Sequence, residues 1–287
     1  MSNGIAERQN SEKNITRLAA QRQLYRDVGI INGVNIILSV IIPIGLVVIQ
    51  ETAADWTWAK PMLCVFSIVM LVVAETLSRR ERQKKELAAS IQQEFDVDVY
   101  QMPWDERLFG SRRNLNYEIA EASKKILDNT REKKSLCNWY AVGIDKLPIN
   151  EGIAACQKEN FNWDAGLRKR YRWFILGFLT LLVIVPIVLC LFEGQTVWEL
   201  LIKVLIMFPA CKWLFCTQRE LEDDLRRMDS LERIVYSTNE KQMDSLQFTQ
   251  KDIYMHRKAA VKVPDFVYKF FKDNDEDRER RAIELGQ

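Results

Sequence analysis

Histidine is almost missing. The 287 residues hold one, His256. It lies in a C-terminal helical stretch, which sets aside a His-based catalytic triad and a metal site built from several imidazoles. Phosphate-binding glycine loops are missing too: the chain has no G-x-x-x-x-G-K-[ST] and no G-x-G-x-x-G, and it has no H-E-x-x-H. The six cysteines form no C-x-x-C pair. Four of them (Cys64, Cys190, Cys211 and Cys216) fall in apolar blocks, where a thiol behaves as a small hydrophobe, so neither a zinc site nor a disulfide framework is expected. An excess of one charge is also missing. Lysine and arginine number 41 against 39 acidic residues, a net +2, which argues against a partner such as a DNA or RNA polymer. These absences predict a protein that is not an enzyme and uses no cofactor and no metal.

What the chain does have is long uncharged runs. The clearest is 173–192, from Trp173 through Pro186 to Phe192, without one charged residue. Roughly 20 residues at about 1.5 Å each reach the thickness of a bilayer's hydrocarbon core. The run 28–49 is also uncharged, and 56–77 (with Lys60 and Glu75) and 197–215 (with Glu199, Lys203 and Lys212) are apolar runs of comparable length. Trp56 and Trp58 suit an interfacial aromatic belt. The two hairpin loops carry no lysine or arginine, whereas the segments outside the hairpins are rich in both. The positive-inside rule then places the N- and C-termini and the middle of the chain in the cytoplasm. The first 27 residues are polar and charged, so no cleavable signal peptide is expected.

The expected architecture is therefore a mainly α membrane protein with four transmembrane helices in two hairpins, plus a cytosolic helical domain with at most a short β element. By segment, 1–27 is a cytosolic N-terminal helix, 28–77 the first hairpin, 78–172 the cytosolic middle region, 173–216 the second hairpin and 217–287 the cytosolic C-terminal helices. Asn14 and Asn150 are expected helix caps. Residues 114–134 read as one helix. Phe95-Asp-Val-Asp-Val-Tyr100 alternates with period two and reads as a short strand. Leu221, Leu225, Met228, Leu231 and Val235 form a heptad-like seam, which serves either assembly or packing within the subunit. Ser237-Thr-Asn-Glu240 is expected to break that helix.

Several polar residues invite a functional reading. Asn32, Asn35 and Ser39 share one face of the first span, either as hydrogen-bonding glue in a static bundle or as the lining of a wetted path. Glu199 and Lys203 stand at i, i+4 in the fourth span, as an ion pair near its outer end or as pore lining. The basic clusters 79–85 and 168–172 orient the spans and contact headgroups, or form part of a site for a phosphate-bearing ligand. The aromatics Trp104, Trp139, Tyr140 and Trp163 either pack a core or stack on nucleobases. Asp96 and Asp98 form a D-x-D that suits Mg²⁺ in phosphoryl chemistry, or simply a solvated strand face.

Five stretches resemble one family. They are Arg17-Leu-Ala-Ala-Gln-Arg-Gln-Leu-Tyr25, Phe95-Asp-Val-Asp-Val-Tyr-Gln-Met-Pro-Trp104, Trp139-Tyr140 with Leu147-Pro148, Cys156-Gln-Lys-Glu-Asn-Phe-Asn-Trp-Asp-Ala-Gly-Leu-Arg-Lys-Arg-Tyr171, and Val263-Pro-Asp-Phe-Val-Tyr268. In order and interleaved with two hairpins, they resemble the SMODS-associated four-transmembrane family of pore-forming effectors. Members of that family are encoded beside cGAS/DncV-like nucleotidyltransferases in CBASS-type anti-phage systems. The resemblance implies a homo-oligomeric effector in the bacterial inner membrane that senses a cyclic oligonucleotide and then breaches the bilayer, an abortive-infection response. It departs from the family at Lys158, where an arginine is usual, and at Phe266, where a tryptophan is more frequent. On this reading the ligand lies near Trp104, Asp105, Trp139, Tyr140, Trp163 and Asp164, with Arg107, Lys158 and Arg168 meeting phosphates. The helix from Trp163 into the third span carries the signal to the bilayer. The alternatives are a non-conducting membrane anchor that recruits cytosolic partners, and a membrane-bound phosphohydrolase using Asp96 and Asp98.

Overall fold

The computed structural model describes residues 2–52, 58–159, 165–264 and 267, and among these there are helices and turns but no strand. In chain order the helices are α1 (Ile5–Gln9), α2 (Glu12–Ile36), α3 (Ile42–Thr52), α4 (Ala59–Tyr100), α5 (Glu106–Phe109), α6 (Arg112–Leu127), α7 (Thr130–Lys134), α8 (Ile149–Glu159), α9 (Ala165–Phe192), α10 (Val197–Ser237) and α11 (Met243–Ala259). A π-helical turn (Ile37–Ile41) joins α2 to α3, and a 3₁₀ turn (Val142–Lys146) precedes α8. The chain is a mainly α membrane protein. Four of its helical stretches are long and apolar enough to cross a bilayer: Glu12–Glu51, Lys60–Tyr100, Leu167–Phe192 and Val197–Ser237.

The chain divides into two compact units. The first comprises Met1–Val28, Glu81–Ala165 and Asp224–Ala260. Its main core gathers Leu18, Phe95, Tyr100, Tyr140, Ile153 and Leu246 from distant segments. The second comprises Gly29–Arg80, Gly166–Asp223 and Val261–Gln287. It contains the uncharged runs, and its surface is apolar: Ile30, Val72, Leu181, Leu191 and Phe192 are all exposed. Water would penalise such a surface heavily, while lipid tails do not.

The π turn has a sequence cause. Pro43 has no N–H to donate to the Ser39 carbonyl, and its ring crowds that carbonyl. The ladder shifts by one residue, and the Ile42 N–H reaches the Ile37 carbonyl. Unlike the expected strand, residues 95–100 are the last turns of α4. Alternation misleads here because both faces of that helix are buried. Asp96 is fully enclosed together with Phe95 and Val97, so its polarity marks a buried ion pair rather than a wet face. Gln101, with φ 59°, ends α4 in a left-handed conformation. The Met102 N–H bonds the Val97 carbonyl at 2.9 Å and the Gln101 N–H bonds that of Asp98 at 3.4 Å, a Schellman stop.

Other boundaries also shift. α2 begins at Glu12, so Asn14 is not its cap; its amide reaches the Arg8 carbonyl and Asp98 instead. α8 begins at Ile149, which puts Asn150 inside the helix. The expected helix at 114–134 is two helices, because Asn129 caps α7 through the N–H groups of Arg131 and Glu132. α10 does end at Ser237. Leu231 and Val235 of the heptad-like seam pack on Ile253 of α11 within the same chain.

Candidate functional site

The first unit contains two buried ion-pair networks on opposite sides of α4. On one side Arg17, 2% exposed, reaches Glu94 Oε1 at 2.6 Å and Asp98 Oδ2 at 3.2 Å. It also donates to Asn14 Oδ1 at 2.6 Å. Burial opposes the Asp98 charge, but Arg17, Asn14 and Lys13 outweigh it and hold this carboxyl below its ordinary pKa. On the other side Asp96, 0% exposed, accepts from Arg257 Nη1 at 2.5 Å, Tyr140 Oη at 2.6 Å and Gln250 Nε2 at 3.0 Å. Tyr100 donates in turn to Tyr140 Oη at 2.7 Å. Burial raises the pKa of both tyrosines, and the neighbouring Asp96 carboxylate adds to the effect. The two carboxylates of the D-x-D thus belong to separate networks rather than facing one side together.

Beside the second network lies a cleft of about 590 Å³. Val97, Met102 and Phe109 give it apolar walls, and Asp105, Arg107 and Lys251 are among its charged lining. Gln93, Gln247 and Gln250 contribute amides. Asp105 caps α5 by accepting from the N–H groups of Arg107 (3.1 Å) and Leu108 (3.3 Å). Desolvation works against its charge, but Lys251, 3.4 Å away, and those two N–H groups prevail and lower its pKa.

Of the sequence candidates, Trp104, Asp105 and Arg107 line this cleft together. Trp104 is tied down, however. Its indole N–H donates to the Gly110 carbonyl at 2.9 Å, the Arg112 guanidinium covers its ring at 5.1 Å, and Phe109 leans on it at 4.9 Å. It acts as a wall rather than an open stacking platform. Tyr140 is buried in the core and Trp139 packs against that core. Lys158 pairs with Glu240 at 2.7 Å. Arg168, in the second unit, donates to the Val261 carbonyl at 2.6 Å. Trp163 and Asp164 lie outside the described residues. Sequence reasoning missed Gln93, Gln250 and Arg257. A usable signal existed: Gln250, Tyr254 and Arg257 fall at i, i+4, i+7 and so share one face of α11.

In the second unit the span residues find partners on neighbouring helices. Asn35 Nδ2 donates to Ser78 Oγ at 2.8 Å, and Ser39 Oγ donates to Asn35 Oδ1 at 3.1 Å. Asn32 is half-buried. Ser67 Oγ donates to the Ile206 carbonyl at 2.7 Å. Lys203 does not take the expected i−4 partner. It reaches Glu51 Oε1 at 2.7 Å and Gln195 Oε1 at 2.5 Å. Glu199 instead caps its own helix, accepting from the Thr196 N–H at 2.8 Å and its hydroxyl at 3.0 Å. A preceding Thr-x-x-Glu favours that reciprocal cap over an ion pair along the helix.

Comparison with known proteins bears on this arrangement. The family described as SMODS-associating 4TM effector domain matches residues 3–285. The chain belongs to that family. A Bacillus cereus protein named as a probable CBASS effector molecule is 24% identical over 287 residues, covering 96% of this chain and 95% of its own length. No solved structure matches the chain. Membership and the four apolar helical stretches agree on a multi-pass membrane effector domain.

Proposed function

We propose that this protein is the membrane effector of a bacterial anti-phage defence system governed by a cyclic oligonucleotide. On recognition of the signal, several copies assemble and permeabilise the inner membrane, with both termini on the cytoplasmic side. The observation that carries this reading is the family match over residues 3–285, which includes all four apolar stretches. A soluble-side unit joined to a membrane unit supplies what the mechanism needs, because α4 and α10 each contribute residues to both units. One bundle of four helices leaves little lumen, so conduction calls for several subunits.

The test is dye release from liposomes containing the purified protein, with and without a panel of cyclic di- and trinucleotides. Release that depends on one of them is expected. Leakage that ignores the whole panel, or no leakage with any member, overturns the gating claim. One observation favours the second reading, a non-conducting anchor that recruits cytosolic partners: Asn35, Ser39 and Lys203 are each bonded within the bundle. An anchor predicts no leakage and no toxicity on overexpression.

A further inference from the structure

The cleft beside α11 contains an imbalance that its own amide chain makes legible. Gln157 Nε2 donates to the Leu246 carbonyl at 2.9 Å, which fixes the way that amide faces. The same Nε2 donates to Gln250 Oε1 at 3.1 Å, so Gln250 presents its oxygen to Gln157. The NH₂ group of Gln250 then points the other way. It donates to Asp96 Oδ2 at 3.0 Å and to Gln93 Oε1 at 2.9 Å. Asp96, paired with Arg257, offers only acceptor oxygens, so it enforces the same orientation from the far end. Both ends of the chain agree, and Gln93 must use its oxygen toward Gln250. Its NH₂ group is left over. Gln93 is 0% exposed and lines the cleft, yet among the described residues Nε2 has no hydrogen-bond partner. A buried donor without an acceptor has given up water for nothing, which destabilises the free protein.

We infer that the cleft is a ligand site in which Gln93 Nε2 donates to an acceptor on a planar heterocycle while Arg107 and Lys251 receive phosphate. The apolar walls from Val97 and Met102 suit a ring edge rather than a hydrated ion. Arg107 is exposed, and among the described residues its guanidinium has no hydrogen-bond or ion-pair partner. Lys251 has a 3.4 Å pair with Asp105 and lies 5.9 Å from the centre of the Phe248 ring, two weak ties from which it can turn to a stronger anion. A ring acceptor joined to phosphate is nucleotide chemistry. Selection of cyclic nucleotides as probes rests on the effector reading above; the site itself rests on the unmatched donor.

The experiment uses the full chain in nanodiscs, with binding measured by calorimetry against a panel of cyclic di- and trinucleotides, and with inorganic phosphate as a separate arm. Wild type is expected to bind at least one cyclic nucleotide. Gln93→Met removes the unmatched donor together with the oxygen that accepts from Gln250; it is expected to weaken that binding at least tenfold, with the free protein's fold checked by its unfolding transition. Arg107→Gln, at an exposed position that folding does not depend on, is expected to weaken binding and flatten its salt dependence. No binding across the panel, unchanged affinity in both variants, or phosphate alone binding as well as any nucleotide overturns the assignment. Two results separate it from the effector reading. Nucleotide-evoked leakage that persists undiminished in Gln93→Met sinks the cleft and spares the effector. Binding lost in Gln93→Met, with wild-type liposomes that never leak, sinks the effector and spares the cleft.

Discussion

Arg257→Met tests the network behind the cleft. Asp96 is completely enclosed, and of its partners among the described residues only Arg257 carries charge; Tyr140 and Gln250 are neutral donors. Removing the guanidinium strands a carboxylate out of water, which costs about 3–5 kcal/mol. Asp96→Asn strands the cation instead. Arg257 is itself 11% exposed on its side chain, so it cannot rehydrate without moving, and a loss of similar size is expected. The double variant removes both charges and should recover much of the loss, since an ion pair replaced by neutral groups of similar size is often nearly neutral. Each single variant should lower the unfolding midpoint by about 6–20 °C, at roughly 2–4 °C per kcal/mol. The assay is thermal unfolding of purified protein in detergent, followed by tryptophan fluorescence across all four members of the cycle. If the two single losses simply add in the double variant, within about 0.5 kcal/mol, Asp96 and Arg257 are not coupled and the reasoning fails.

Two further predictions follow from the charges. Lys203 and Glu51 are unequally buried, 5% against 43% side-chain exposure. Glu51→Gln should therefore cost up to about 3 kcal/mol by leaving the ammonium only neutral oxygens such as that of Gln195, while Lys203→Met should cost under about 1 kcal/mol because Glu51 can meet water; midpoints in nanodiscs give the order, and the reverse order would overturn it. Asp98 and Asp105 have lowered native pKa values, so on acidification the unfolded chain takes up protons first. Their contribution is full above the ordinary value of 3.8 and fades as the pH falls through the native values. Unfolding midpoints should fall below about pH 4, and Asp98→Asn should flatten that acid limb.

The membrane spans were legible because lipid asks only for length and apolarity, and the uncharged runs supply both. The C-terminal end of α4 was not. Its alternation of Asp96 and Asp98 with Phe95, Val97 and Val99 has a strand's period, and only the arrival of Arg17 from α2 and Arg257 from α11 makes those acids compatible with a buried helix. Lys203 failed for a related reason. Spacing along one helix proposed Glu199, but the winning partner comes from the end of α3. Trp104, Asp105 and Arg107 were found because an aromatic beside charges is conspicuous. Gln93 and Gln250 were not, because an amide signals nothing until its partner is known, and these two lie 157 positions apart.

The Lys203 contact also constrains how such a bundle opens. Among the described residues, polar contacts that join α10 to the first hairpin include Lys203 to Glu51, Ser67 to the Ile206 carbonyl, and Lys212 to Glu75 at 2.8 Å. Their weights differ. Lys212 and Glu75 are each 38% exposed on their side chains, so that pair contributes about 0–1 kcal/mol. The serine bond contributes about 0.5–1.5 kcal/mol. Taking Glu51 from Lys203 leaves the ammonium the neutral Gln195 oxygen and costs up to about 3 kcal/mol. A ligand shifts an equilibrium only by its differential affinity, and inverting a 1:99 population takes about 5.5 kcal/mol. Separating Lys203 from Glu51 would consume most of that unless the ammonium gains a new partner, either pore water or a carboxylate of a neighbouring copy. In the proposed effector, then, opening at this end is tied to assembly of several copies: a lone copy that breaks the pair leaves its cation the neutral Gln195 oxygen, and an assembly that keeps the pair keeps α10 clamped to the first hairpin.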